Sequence, residues 1–579
     1  MYEKWSQYLD RIAQIMGELY PGQHKQCMAR FEMILGRYGV EPRPVSEAAG
    51  WCERDAFLIT YGNTLSSEGE SPLKTLHNFL HDKLDGAITG VHILPFFPYS
   101  SDDGFSVINY REVNPDLGRW EHVEAISQEF KLMADLVLNH VSRESKWFQE
   151  YILGLLPCVD YFIEVDPSED LSQVVRPRST SLLTEVHMRD GQRYLWTTFS
   201  DDQIDLDFSN PDVLFEFIDI LLFYISKGVK VLRLDAIAYV WKKLGTECIH
   251  LPEAHKIVKL FRAIVDLVAP DVFIITETNV PHEENISYFG DGDEAHMVYQ
   301  FSLPPLLLHA LRKGTSRFLT EWAQALSDMP EGCTYFNFTA SHDGIGIRPL
   351  EGLLPRKEID DLVEGTRQRG GMVKTRKDEK GRDKPYELNC TYFDALKGID
   401  GNDDMDVGRF ICSQAIPLSM KGVPAVYIHS LLGTPNDIQG VRDSGEPRAI
   451  NRARLKIDDV YADLVQPSNQ RAEVFRRYNF LLRVRAKHPA FHPEAEQHIF
   501  DLGNELFVLE RISCDGTERI LAIHNLTDRL VEVKVEGENL RHWQKVKPWQ
   551  DVIGGGRHGQ DSSSIAMEPY EVLWLTGSP

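Results

Sequence analysis

The sequence predicts an α/β fold: a (β/α)8 TIM barrel with insertions after strands 3 and 7, followed by a small antiparallel β domain. Three observations carry this. Eight short, nearly all-apolar runs recur between residues 56 and 428, as strands buried on both faces require. Amphipathic segments such as Val213–Ser226 and Ala254–Val268 lie between several of them with helical periodicity. Three of the runs lead into a carboxylate: Val231-Leu232-Arg233-Leu234-Asp235, Phe273-Ile274-Ile275-Thr276-Glu277 and Phe338-Thr339-Ala340-Ser341-His342-Asp343. Folding alone explains a charge at the end of a buried strand poorly, but a barrel builds its active site at the C-terminal strand ends.

The elements follow in order. Residues 1–50 form a helical extension, with Leu9, Ile12, Ile15, Met16 and Leu19 on one face and Pro21-Gly22 ending the first helix. The barrel occupies 51–490. Its strands are expected at Ala56–Tyr61, Val91–Phe96, Leu132–Leu138, Val229–Leu234, Val272–Thr276, Met297–Phe301, Tyr335–Ala340 and Val423–Ile428. Two connections are too long and polar for simple loops, 142–210 after the third strand and 344–400 after the seventh. Both are read as inserted domains lying over the catalytic face. From 491 to 579 short alternating runs separated by turn residues indicate the antiparallel β domain.

Composition narrows the function classes. A formal net charge of -25 over 579 residues argues against nucleic acid or an anionic membrane as partner. No apolar run of membrane-spanning length and no basic-then-apolar leader is visible near Met1, which gives a cytoplasmic expectation. The eight cysteines are scattered, without a Cys-x-x-Cys pair, and read as free thiols rather than a zinc site. Oligomeric state is not legible. Paired carboxylates at strand ends suit glycoside chemistry, in which one attacks or stabilises the sugar cation and the other protonates the leaving oxygen.

Five segments occur together in one order: Asp102-Asp103-Gly104-Phe105-Ser106, Asp135-Leu136-Val137-Leu138-Asn139-His140, Arg233-Leu234-Asp235-Ala236, the strand end at Glu277, and Ser341-His342-Asp343. In that order they resemble the motifs of the α-amylase family over residues 55–455. Phe301–His309, His342-Asp343-Gly344-Ile345-Gly346 and Ala449-Ile450-Asn451-Arg452 resemble its sucrose-phosphorylase-like branch. Glu277–His282, Arg348–Pro355 and Thr198–Asp205 look most like the glucosylglycerate and glucosylglycerol phosphorylases within that branch.

The resemblance implies a retaining α-glucosyl phosphorylase, a glycosyltransferase on a glycoside hydrolase scaffold. Asp235 would be the nucleophile, Glu277 the acid and then the base, and Asp343 the transition-state stabiliser on the sugar hydroxyls. Arg233 would hold Asp235 ionised, since a guanidinium within ~4–6 Å lowers a carboxyl pKa by about 1–3. Glu277 would need a raised pKa. Asp102 and Arg452 would form a salt bridge closing the glucose pocket, with His140 and His342 on sugar hydroxyls and Phe105 and Tyr239 against its face. Arg176, Arg178 and Tyr386 would reach phosphate, a co-substrate, and no metal or organic cofactor is implied. Sucrose phosphorylases carry Val-His after the acid and Gln after the phosphate tyrosine; here Thr278-Asn279 and Glu387 stand there, which places sucrose in doubt. Glu387 suits a small polyol such as glycerol and suits the carboxylate of glycerate less, unless Arg178 or Lys384 compensates, so the residues incline slightly toward glycerol. Sucrose phosphorolysis, hydrolysis by water, and a non-catalytic binding role remain the alternatives.

Overall fold

The computed structural model describes residues 2–41, 50–178, 180–189, 191–377, 383–399, 403–560 and 562–577. Part of the charged stretch 367–385 therefore lies outside the described residues. Eight strands, β1 (Phe57–Thr60), β2 (Gly90–Ile93), β3 (Lys131–Val137), β4 (Val229–Asp235), β5 (Phe273–Thr276), β6 (Met297–Tyr299), β7 (Thr334–Phe338) and β8 (Val423–Tyr427), close into a barrel in sequence order. All eight neighbouring pairs run parallel. Each expected run overlaps one strand, because a strand covered on both faces must be apolar throughout. Several strands end one to three residues short of the apolar run, since pairing stops before the chain turns outward to the site.

Below the site the barrel interior is solid. Phe57 and Phe336 meet edge to face at 5.7 Å, both fully buried. Gly90 is paired with Phe57 in register, and a Cβ there would come within 2.3 Å of the phenyl ring. The barrel is thus plugged by an aromatic ring that requires a glycine opposite it.

Between β3 and the helix Pro211–Ser226 lie the short helix Lys146–Ile152, the hairpin Leu183–Met188/Gly191–Trp196, and an antiparallel pair of His140–Ser142 with Gln203–Asp205. Between β7 and the helix Asp406–Ser419 lie the helix Arg356–Gln368 and a three-stranded sheet of Ile345–Gly346, Asp383–Asn389 and Met372–Lys377. The C-terminal part builds a six-stranded antiparallel sheet from Glu496 to Gly577, with its own core around Trp543 and Trp549.

At the N-terminus α1 (Tyr2–Leu19) and α2 (His24–Arg37) lie on the outside of the barrel. The predicted face of α1 is buried at Ile12, Ile15, Met16 and Leu19. It is tied down by Arg11 to Asp293 at 2.7 Å and by the Tyr20 hydroxyl donating to Phe208 O at 2.9 Å. Among the described residues no helix is long and apolar enough to cross a membrane.

Candidate active site

Strand alternation puts Arg233 and Asp235 of β4 on one face, toward the barrel axis. Arg233 Nη1 donates to Asp235 Oδ1 at 2.7 Å and also bonds the buried Asp135 of β3, its register partner. Asp135 in turn lies 2.7 Å from His92 Nε2 of β2. The guanidinium also sits 5.7 Å from the rings of both Phe105 and Tyr299. Charge and aromatic faces together lock the arginine beside Asp235.

Register sets the second carboxylate. Thr276 of β5 pairs with Leu234, and the Glu277 N–H donates to Leu234 O at 3.1 Å, which brings Glu277 beside Asp235. The residue after Asp235, Ala236, adopts φ +50°, a left-handed conformation unusual for alanine. That turn aims its N–H at Glu277 Oε2, 3.1 Å away. Local strain here holds the Asp235 and Glu277 carboxyls in one frame.

Asp343 follows β7. Its carboxylate pairs with Arg448 Nη1 at 2.6 Å, and its carbonyl accepts from Asn451 Nδ2 at 3.0 Å. His342 stacks on Phe105 with ring centroids 4.8 Å apart and planes 8° apart. His140 Nε2 lies 3.0 Å from Phe105 O. Asp102, Phe105, His140, Arg178, Arg233, Asp235, Glu277, Asn279, His342, Asp343 and Tyr386 all line one pocket at the strand ends. Asn279 reaches it because Gly346 lies opposite: a Cβ there would come within 2.7 Å of Asn279 Oδ1, which is buried and has no hydrogen-bond partner.

Several expectations need correction. Arg452 pairs with Asp103 at 2.6 Å rather than with Asp102, and neither member of that pair lines the pocket. Asp102 instead accepts from Arg178 Nη2 at 3.0 Å. Burial opposes ionisation of Asp102, yet Arg178, Arg448 and Arg452 outweigh it and hold the carboxyl well below the usual range. Arg178 is therefore an ion-pair partner of the Asp102 carboxylate. Arg176 does not line the pocket, and its Nε and Nη2 are buried without hydrogen-bond partners. Phe199 lines the wall where Tyr239 was expected, and Tyr239 packs edge-on against it at 5.7 Å. Glu387 is not an open acceptor group: Arg448 Nη2 and Nε bond it at 2.6 and 3.1 Å, and Asn389 Nδ2 donates to it at 2.6 Å.

Arg233 was also expected to lower the Asp235 pKa. Burial, with Glu277 and Asp135 close by, raises it on balance, and Arg233 opposes without prevailing. Burial likewise raises Glu277, with Asp343 adding to it and Arg233 opposing. The two carboxyls behave as one coupled pair. Arg233 hydrogen-bonds Asp235, an asymmetry that favours ionisation of Asp235 and the proton on Glu277. Turnover should therefore lose its alkaline limb only above the usual carboxylate range, as Glu277 gives up its proton. A pH–kcat/KM profile checks this, and a limb near pH 4 would contradict it.

The sequence reading missed Arg448, Gln203 and Phe199, all in the pocket wall, and the supporting Asp135, His92 and Lys242. Gln203 and Phe199 stood within the quoted segment Thr198–Asp205, and Arg448 is a second arginine four residues before Arg452. His92 and Lys242 carried no local signal, since their partners come from other strands and loops. Among the described residues no group of three or more His, Cys, Asp or Glu side chains is placed to hold a metal ion.

Comparison with known proteins bears on the family and the fold. Residues 83–347 match the family model of the α-amylase catalytic domain. A glucosylglycerate phosphorylase of Spirochaeta thermophila is 45% identical over 579 residues, covering 98% of each chain. A glucosylglycerol phosphorylase of Marinobacter adhaerens is 32% identical, covering 75% of this chain and 87% of its own. The crystal structure of sucrose 6F-phosphate phosphorylase from Thermoanaerobacter thermosaccharolyticum superposes with a TM-score of 0.72 at 27% identity, covering 83% of this chain and 96% of that one.

Proposed function

Because the chain belongs to the α-amylase family, among its glucoside phosphorylases, we propose that it catalyses reversible phosphorolysis of α-glucosylglycerate to glycerate and α-D-glucose 1-phosphate. Asp235 attacks the anomeric carbon as the bond to the glycerate oxygen breaks, and Glu277 gives that oxygen its proton. The product of this step is a β-glucosyl ester. Phosphate then attacks the same carbon from the opposite face, Glu277 takes a proton from it, and Asp235 leaves as carboxylate. Two inversions give net retention. Asp343 and the two histidines hold the glucosyl hydroxyls. No metal or organic cofactor enters this scheme.

The choice of acceptor draws on the charges around Glu387. The inclination toward glycerol assumed a free Glu387 carboxylate, whereas Arg448 neutralises it. Lys374, the cross-strand partner of Glu387, is half-buried and has no ion pair among the described residues. Burial, and then the charge of Arg448, push its ammonium down. With Lys374 added, the cluster of Arg448, Asp343 and Glu387 is formally neutral, and an acceptor carboxylate would pair with the Lys374 ammonium where a neutral polyol would not. For phosphate we assign Arg178 and Tyr386. Arg178 is the most exposed of the site's arginines, at 31%, and exchanges its partner most readily. All eight cysteines are free thiols, which suits a cytoplasmic reaction whose phosphorylated product is retained.

Incubation with phosphate and glucosylglycerate, glucosylglycerol or sucrose, assaying glucose 1-phosphate against free glucose, tests the reading. Glucosylglycerate should give the highest kcat/KM. Free glucose alone would end the phosphorylase assignment. Lys374→Met should raise KM for glucosylglycerate about 10–100-fold, as loss of one charged contact does. It should leave glucosylglycerol within about threefold, since no charged contact is lost there. Equal effects on both substrates would remove Lys374 from acceptor recognition.

A further inference from the structure

Lys242 has no place in the chemistry above, although its side chain is only 4% exposed. Its ammonium donates to Asn139 Oδ1 at 2.6 Å and pairs with Asp205 Oδ2 at 2.7 Å. Asp205 is fully buried and also accepts from the Thr198 N–H at 3.0 Å and from the Thr198 hydroxyl. An ammonium can only donate. Asn139 must therefore turn its oxygen to Lys242, and its NH2 then faces the neighbouring imidazole. Asn139 Nδ2 lies 3.2 Å from His140 Nδ1.

That contact makes a bond only if His140 Nδ1 carries no proton. Burial, as the leading effect, pushes the His140 pKa down to about 4, so the ring is neutral at neutral pH and has one proton to place. Placed on Nε2, the proton points at Phe105 O, 3.0 Å away. A competing group pulls the other way. Gln203 Nε2 lies 3.1 Å from the same His140 Nε2 and would find a lone pair there if the proton sat on Nδ1. Gln203 cannot reverse its amide freely, because the Ser200 hydroxyl donates to its Oε1 at 2.9 Å and its Nε2 reaches Asp102 at 3.4 Å. The imidazole thus stands between two amides, each demanding the opposite tautomer, and the ammonium behind one of them decides.

We propose that Lys242 is a positioning residue that, through Asn139, fixes His140 as the Nε2–H tautomer, so that its one hydrogen, aimed at Phe105 O, is shared with a glucosyl hydroxyl that reaches the same nitrogen. The proposal rests on the glucosyl-binding reading of the pocket for its consequence, but not for the tautomer itself. Without Lys242, Asn139 can turn over and Gln203 can draw the proton to Nδ1. The ring would then offer the sugar a lone pair where it had offered a hydrogen.

The test has two arms. Nitrogen-15 histidine NMR of the substrate-free protein, with His140 assigned by difference against His140→Ala, should show a bare Nδ1 in the wild type and a shift toward Nδ1–H in Lys242→Met. A wild type already in the Nδ1–H form would overturn the proposal without any variant at residue 242, and so would Lys242→Met keeping the Nε2–H form. In the second arm Lys242→Met should lower kcat/KM for phosphorolysis about 10–100-fold, the range of one mis-set hydrogen bond to substrate. In a His140→Ala background it should cost less than about twofold more, because interacting residues are non-additive. Equal losses in both backgrounds would show a merely structural role. Lys242→Arg, also donor-only, should keep the wild-type tautomer, and its failure to do so would count against the relay. If phosphorolysis were absent altogether, the NMR arm would still decide this point, so the two readings fail separately.

Discussion

Asp235→Asn is expected to lower kcat for phosphorolysis by at least about 10^4-fold, the scale seen when a covalent nucleophile is removed. An amide does not form the glucosyl ester, so both half-reactions stop. The fold should not suffer. Asparagine has the same shape, and its Oδ1 can keep accepting from Arg233, which retains Asp135 as its buried counter-ion. The melting temperature should equal or exceed that of wild type. Burial, Glu277 and Asp135 raise the Asp235 pKa above its unfolded value. A carboxyl raised on folding costs stability once pH exceeds its unfolded value, and costs nothing at low pH where both states hold the proton. The stabilisation by asparagine should therefore grow as pH rises through and above the usual carboxylate range. Glucose 1-phosphate assay and thermal melts at several pH values check both parts, and unchanged turnover would sink the mechanism.

Arg448→Met is expected to destabilise the protein by about 3–5 kcal/mol at neutral pH, as removal of one partner from a buried ion pair does. This arginine bonds two carboxylates from different parts of the chain, Asp343 beyond β7 and Glu387 on the strand Asp383–Asn389. Asp343 keeps some exposure to water and contributes the smaller share; Glu387 is almost fully buried and contributes the larger. Burial opposes ionisation of Glu387, but Arg448 reverses the balance and holds its pKa below the usual value. A depressed carboxyl adds stability above its unfolded pKa and loses it as pH falls. The gap between wild type and Arg448→Met should accordingly narrow in acid. Adding Glu387→Gln should recover part of the loss, because the unpaired charge is then gone. Turnover should fall as well, since Asp343 loses the group that aims it. Urea unfolding at neutral and acid pH, with and without Glu387→Gln, separates these effects; additive losses would mean the pair is not coupled.

These two residues also show what a sequence can and cannot reveal. Asp235 was legible because it ends an all-apolar run two residues after an arginine, and both facts lie in one short segment. The eight strands were legible for the same reason: burial on two faces leaves an uninterrupted apolar signature. Arg448 was not legible, because its meaning depends on Asp343 and Glu387, 105 and 61 positions away. Glu387 was misjudged for the same cause, since a carboxylate in sequence looks equally available whether or not an arginine covers it. The exchange of Asp102 for Asp103 as the partner of Arg452 is a finer case. Both residues adopt positive φ, and that turn decides which carboxylate faces Arg452. Lys242 lies furthest from prediction, because its effect passes through an asparagine to a histidine 102 residues away.

The phenylalanine plug of the barrel has a kinetic consequence. With Phe57 and Phe336 packed edge to face and fully buried in the barrel interior, the pocket has a closed end. The leaving acceptor and the arriving phosphate must use the same mouth. They cannot occupy it together, so the enzyme waits in its glucosylated form between one departure and one arrival. Steady-state rates would then follow a ping-pong pattern, with parallel reciprocal plots. Phosphate would act as a dead-end competitor of the glucoside at high concentration, holding the mouth before any sugar has entered.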